Sequence, residues 1–254
     1  MNRLPLEQQF FIALQAATLL GLFIRVWWTG LYRIYRYFFC YLLVALLQTA
    51  VPFFPLRSRA YLYLFLASEA LVVTLYALVV LETYDVVLRD LTGIASAARR
   101  YIKIAIVCAV IASLLVVGFE KTAATVPQYF TICERAIVSS LLVFVLLSVV
   151  FLAYYPMPLN RNALNYSVGF AVYLMAKTAT LFVINIRYYS WNRQINSILV
   201  AVSSACLILW LFTLSREGEK KTVVVGHRWN MEDEKRILSR LRAINDSLLR
   251  TAKK

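Results

Sequence analysis

The chain has 254 residues, of which 61% are AVILMFWYC and only 16% are charged, against roughly 45–50% apolar and about 25% charged in an ordinary soluble domain. That balance excludes a soluble globular fold, and apolar runs of about 20 residues, long enough to cross a hydrocarbon core, recur from residue 8 to residue 214. The formal charge of +14 would point to nucleic acid in a soluble protein; here the basic residues sit in loops between apolar spans and in one tail, so the expected partner is the lipid bilayer and no nucleic acid.

In chain order the apolar windows predict seven helical spans: about Gln8 to Val26, Tyr37 to Phe54, Ala60 to Leu81, Tyr101 to Phe119, Tyr129 to Ala153, Tyr166 to Ile186 and Ile195 to Leu214. The expected fold is therefore all-α, a polytopic membrane bundle over 1–214 with a basic cytoplasmic tail over 215–254. The stretch from Phe10 to Ile24 lacks a small-residue cleavage site before Arg25, Trp27 and Trp28, which makes it a first helix rather than a removable signal.

Orientation follows from Lys and Arg near the span ends. With the N-terminus outside, Arg25, Arg33, Arg36, Arg89, Arg99, Arg100, Lys103 and Arg161 face the cytoplasm, while Arg3, Arg57, Arg59, Lys121, Arg187 and Arg193 face out. The tail adds Arg216, Lys220 and Lys221 at the membrane edge, so N-out and C-in is expected. Amphipathic rings mark the interfaces: Trp27, Trp28, Tyr32 and Tyr35 below the first span, Tyr154 and Tyr155 below the fifth, and Tyr188, Tyr189 and Trp191 above the sixth. Cys40, Cys108, Cys133 and Cys206 lie inside predicted spans without CxxC spacing and read as buried small hydrophobes.

A weak internal similarity sets Tyr37 against Tyr166, which brings Gln48 onto Lys177 and Thr49 onto Thr178; a second offset sets Ser68, Glu69 and Ala70 against Ser203, Ser204 and Ala205. Helices 1 to 3 and 5 to 7 would then be parallel repeats joined by helix 4.

Polar groups at membrane depth are the informative positions, because each costs about 2.5–3.5 kcal/mol unless partnered or wet. At about 1.5 Å per residue, Glu69 in the third span and Lys177 in the sixth both fall roughly 14 Å below the external ends of their spans. They are expected to face one another with Gln48, either as an ion pair or as the walls of a small polar cavity. Glu134 and Arg135 form a second embedded pair near the external end of the fifth span; adjacent helix positions point about 100° apart, so each is expected to reach a different neighbour or to snorkel. Glu82, Tyr84, Asp85 and Arg89 make a charged cytoplasmic corner after the third span, read as a hydrogen-bonded helix end.

Two comparisons with known families fail at their key residues. No Arg follows Glu82, as the acidic-Arg-aromatic triplet of rhodopsin-like receptors requires, and Lys177 stands in the sixth helix with Tyr173 where microbial rhodopsins carry Asp. Catalysis has little to work with: His227 in the tail is the single histidine, and GxSxG, P-loop and GxGxxG signatures are absent. No catalytic residue, metal ligand or cofactor is assigned, and an enzyme is the less favoured class.

After Ser215 the composition turns polar, with strand-like Thr222 to Val225 and then a helix from Met231 to Ala252, N-capped by Asn230, acidic in its first turn and basic in its last. Ile237, Leu241, Ile244 and Leu248 lie on one stripe that needs a cover. The bundle's underside or the headgroup layer is a better cover than a second copy, since two heptads are short for a coiled coil.

Seven helices with a capped amphipathic tail helix resemble the general plan of small bacterial seven-helix membrane proteins. The resemblance spans the whole chain but carries no motif; it implies a multi-pass protein of the bacterial inner membrane and transfers no functional residue. The leading expectation is a non-enzymatic sensor or receptor-like module whose site at Glu69, Lys177 and Gln48 is coupled to the tail helix, with a small ligand at the site and a cytoplasmic protein at the tail as partners. The alternatives are a small-solute transporter of 3+1+3 plan and a structural or assembly subunit.

Overall fold

The computed structural model describes residues 6–49, 59–88, 91–119, 126–154, 157–186, 192–225 and 231–252. Among them are eight α-helices: α1 (Leu6–Trp28), α2 (Arg36–Gln48), α3 (Arg59–Val87), α4 (Thr92–Phe119), α5 (Val126–Tyr154), α6 (Arg161–Ile186), α7 (Asn192–Thr213) and α8 (Met231–Ala252). Four segments are long and apolar enough to cross a membrane, Phe10–Trp28, Leu62–Val87, Tyr129–Phe151 and Arg161–Val183, while Arg36–Gln48 and Ser197–Thr213 are shorter apolar helices. The second expected span, to Phe54, is described as helix only to Gln48, and its last part lies outside the described residues.

The surface supports this reading of the helices. Leu47, Leu71, Val143, Val150, Phe182 and Phe212 are exposed, whereas Glu69, Glu82, Glu134, Asn162 and Ser204 are buried. Water as solvent would select the reverse; apolar outside and paired polar inside is what a hydrocarbon solvent selects. Trp27 and Trp28 are exposed as interface rings should be, but Tyr35 is not: it is 1% exposed and belongs to the core. The cysteines divide as well, since Cys206 is buried, Cys133 half-buried, and Cys40 and Cys108 face outward.

The helices meet around an aromatic core. Phe38 of α2 packs edge-on against Trp210 of α7 and Tyr166 of α6, with ring centroids 5.0 Å apart in each case, and Phe170 of α6 stacks on Trp210 at 6.5 Å. This approach needs Gly169, because a Cβ there would come within 2.6 Å of Trp210 Nε1.

The third helix does not stop at Leu81. It continues to Val87, so Glu82 and Tyr84 are helical and buried in the bundle. A tight turn enters α2, whose N-cap residue Tyr35 makes no side-chain cap bond. Glu82 replaces it: its carboxylate accepts the backbone N–H groups of Tyr37 (2.9 Å) and Phe38 (3.1 Å), placing negative charge at a helix N-terminus.

The strand-like segment Thr222–Val225 (β2) pairs antiparallel with Met157–Asn160 (β1), in the register Met157 to Val225 through Asn160 to Thr222. Sequence periodicity gave no hint of β1, which has only four residues and contains Pro158. The ladder ties the chain leaving α7 to the entrance of α6, and Arg161 N–H donates to the Lys221 carbonyl at 3.0 Å.

Helix α8 lies along α4. Leu241 is 4% exposed and Asn245 is buried, but Ile244, expected on the covered stripe, is 51% exposed. The covered face therefore runs through Leu241, Asn245 and half-buried Leu248, one position round from the predicted stripe. Asn245 causes the rotation: its Oδ1 accepts the backbone N–H groups of Gly93 (2.8 Å) and Ile94 (3.3 Å), capping the start of α4 from a different helix. The side chain of Ile237 lies outside the described residues.

Candidate functional site

Four helices bring one polar group each to a single point. Glu69 of α3 accepts from Gln48 Nε2 of α2 at 2.6 Å through Oε2, and from Lys177 Nζ of α6 at 2.9 Å through Oε1. The same ammonium lies 2.8 Å from Glu134 Oε1 of α5, an ion contact without hydrogen-bond alignment. Glu69 and Lys177 thus meet, and the residue expected in a separate outer pair joins them. Glu134 is only 5% exposed and does not snorkel, while its neighbour Arg135 stands half-buried on another face of α5. Glu134 and Arg135 diverge as helix geometry leads one to expect, since consecutive side chains point about 100° apart.

The triad Glu69, Lys177 and Gln48 borders a cavity of about 250 Å³ between α1, α2, α3, α6 and α7, lined also by Gln15, Tyr41 and Tyr76. Gln15 Nε2 donates to Ser203 Oγ at 3.5 Å, so the α1–α7 wall is polar too. Toward the other end of the bundle, the Tyr76 and Tyr173 hydroxyls share a short hydrogen bond. Phe170 packs against both rings, with centroids 6.3 and 6.2 Å away, and connects this layer to Trp210. A dense aromatic layer therefore separates the cavity from the Glu82 end.

A second polar layer lies beyond it. Tyr166 donates to Glu82 at 3.4 Å, and Tyr84 donates to the Phe144 carbonyl at 2.5 Å, which ties α3 to α5. Asp85 faces outward, and Arg89 lies outside the described residues. Sequence reading missed the centre of this layer, Glu219: its carboxylate accepts from Tyr35 Oη (2.7 Å), Asn162 Nδ2 (2.9 Å) and Asn160 Nδ2 (3.1 Å). Burial, and then the Glu219 carboxylate beside it, push the Tyr35 phenol far above its ordinary range, so it stays a proton donor.

Asn162 also donates to the Ser215 carbonyl at 2.7 Å, and Gly218 passes so close to it that a Cβ would meet Asn162 Oδ1 at 2.1 Å. Arg25 of α1 donates to the Leu214 carbonyl at 3.0 Å, closing the end of α7. The turn after α7 is thus stitched to three neighbours. Nothing in the sequence singles out Glu219 from Glu217, two residues earlier; Asn245, by contrast, was visible as a polar residue four positions from Leu241 on an apolar stripe.

Among the described residues no group of three His, Cys, Asp or Glu is placed to hold a metal ion. The arrangement can bind: an ammonium, a carboxylate and an amide converge on one cavity together with two tyrosines, and a second carboxylate holds the ammonium from behind. No known protein family, no curated protein and no solved structure matches the chain.

Proposed function

We propose that this chain is a multi-pass membrane protein of seven spans, N-terminus outside and C-terminus in the cytoplasm, acting as a non-enzymatic receptor-like module that takes a small polar ligand beside Glu69, Lys177 and Gln48. The observation that carries the reading is the cavity of about 250 Å³ bordered by buried, mutually paired charges. Charge at membrane depth is expensive and tends to mark function, and a concave space with a few convergent polar groups is the usual form of a small-molecule site. The aromatic layer from Tyr76 to Trp210 favours binding over passage. The stitched turn at Glu219 and the contact of α8 with α4 supply a route from the bundle to the tail and to a cytoplasmic protein partner.

The test is thermal unfolding of the purified protein against a panel of metabolites and ions, with Glu69→Gln beside the wild type and solute flux measured in proteoliposomes. A ligand that stabilises the wild type, fails on the folded variant and is not transported supports the reading; silence across the panel overturns it. Reporter fusions at each terminus check the orientation, and a C-terminal reporter active outside the cytoplasm overturns it.

One observation favours the transporter of 3+1+3 plan as second reading. Gln48 and Lys177, the positions matched by the internal similarity, both bond the same carboxylate of Glu69, as a site at a repeat interface would. Flux of a ligand that binds would select this alternative.

A further inference from the structure

We propose that the ligand of the cavity is a small organic monocation, an ammonium or guanidinium group on a compact apolar body. This rests on the receptor-like reading of the cavity and adds its ligand class.

The first support is a charge count. Two carboxylates, Glu69 and Glu134, surround a single ammonium, Lys177, at 2.9 and 2.8 Å, and Gln48, Tyr41 and Tyr76 add no counter-charge. In a poorly solvated interior an unbalanced charge is costly, and a bound cation can balance the second acidic side chain in place of a proton. A negative ligand would instead meet an ammonium already held by two acidic side chains.

The second support is the wall. Tyr41 and Tyr76 border the cavity with ring centroids 5.5 Å apart, and aromatic faces attract alkylammonium and guanidinium groups. Glu69 reaches the same space with Oε2 held by neutral Gln48, so a carboxylate and two aromatic residues line one cavity. The third support is size. At about 250 Å³ the cavity falls just below the range of roughly 300–1,000 Å³ typical of drug-sized ligands, which suits a compact solute.

The experiment uses three probes of one shape and different charge, tetramethylammonium, tert-butanol and pivalate, titrated calorimetrically into the full chain in an uncharged detergent. Tetramethylammonium is expected to bind roughly tenfold or more tighter than tert-butanol, and pivalate not at all. Glu134→Gln leaves one carboxylate for one ammonium and should abolish the preference for the cation while size-exclusion and circular dichroism show a folded protein. The wild-type charge series stands by itself if that variant does not fold. Equal or tighter binding of tert-butanol or pivalate, or an undiminished preference in folded Glu134→Gln, overturns the cation inference and leaves the cavity reading intact. Silence from all three probes while a neutral or anionic solute of the wider panel binds overturns the inference alone; silence from probes and panel together overturns the cavity reading as well.

Discussion

Lys177 is the residue on which most depends, because a single ammonium serves two buried carboxylates. Lys177→Met leaves both without a counter-charge and should cost about 3–5 kcal/mol, the range for breaking a buried pair from one side. A Tm fall of several degrees in detergent is the expected result; an unchanged Tm would mean that water reaches the triad. At Gly169 the argument is steric instead. Gly169→Ala forces a Cβ against Trp210 Nε1 and should destabilise by about 1–3 kcal/mol through overpacking, read from the same melting experiment.

For whole elements, the informative contact is the one between α8 and α4. Asn245→Ala removes an acceptor for two N–H groups at the start of α4 and should cost about 1 kcal/mol, as loss of a helix cap does. Leu241→Asp puts a charge into the buried face and should release α8 to limited proteolysis, whereas Ile244→Asp, on the exposed face, should leave the digestion pattern and stability unchanged within about 0.5 kcal/mol. Equal sensitivity at both positions would place the covered face on the predicted stripe after all. The difference between stripe and face is physical: periodicity finds where apolar side chains lie, but a short apolar stripe on a basic helix tolerates a small rotation when one polar residue gains two backbone bonds by it.

Across the molecule, the polar layers sit at opposite ends of an aromatic middle, and Glu219 holds together the end where α1, α6 and α7 meet the turn after α7. Glu219→Ala leaves donors on Tyr35, Asn160 and Asn162 unpaired, at about 1–3 kcal/mol for each group that stays buried without a new partner. Hydrogen exchange should rise in the α1–α2 turn and in β1 and β2 together; a rise in only one of them would show that Glu219 does not join these segments. Such linkage is also what a signal from cavity to tail would need, since the same turn follows α7, a wall of the cavity.

The sequence by itself determined that the chain is helical and apolar, with spans of membrane length, and that Glu69 and Lys177 lie at comparable distances from the ends of their helical spans. Composition and run length suffice for the first, and a rise of about 1.5 Å per residue suffices for the second. Depth says nothing of azimuth. Whether Glu134 turns toward Lys177 and Arg135 away, whether Tyr35 meets lipid headgroups or Glu219, and which edge of α8 is covered depend on how each helix is rotated about its axis. Only tertiary packing decides that rotation, because it is set by contacts between residues far apart in the chain: the close approach of Trp210 to Gly169, the capping of α2 by Glu82 and of α4 by Asn245, and the pairing of a four-residue strand with a segment beyond the last span.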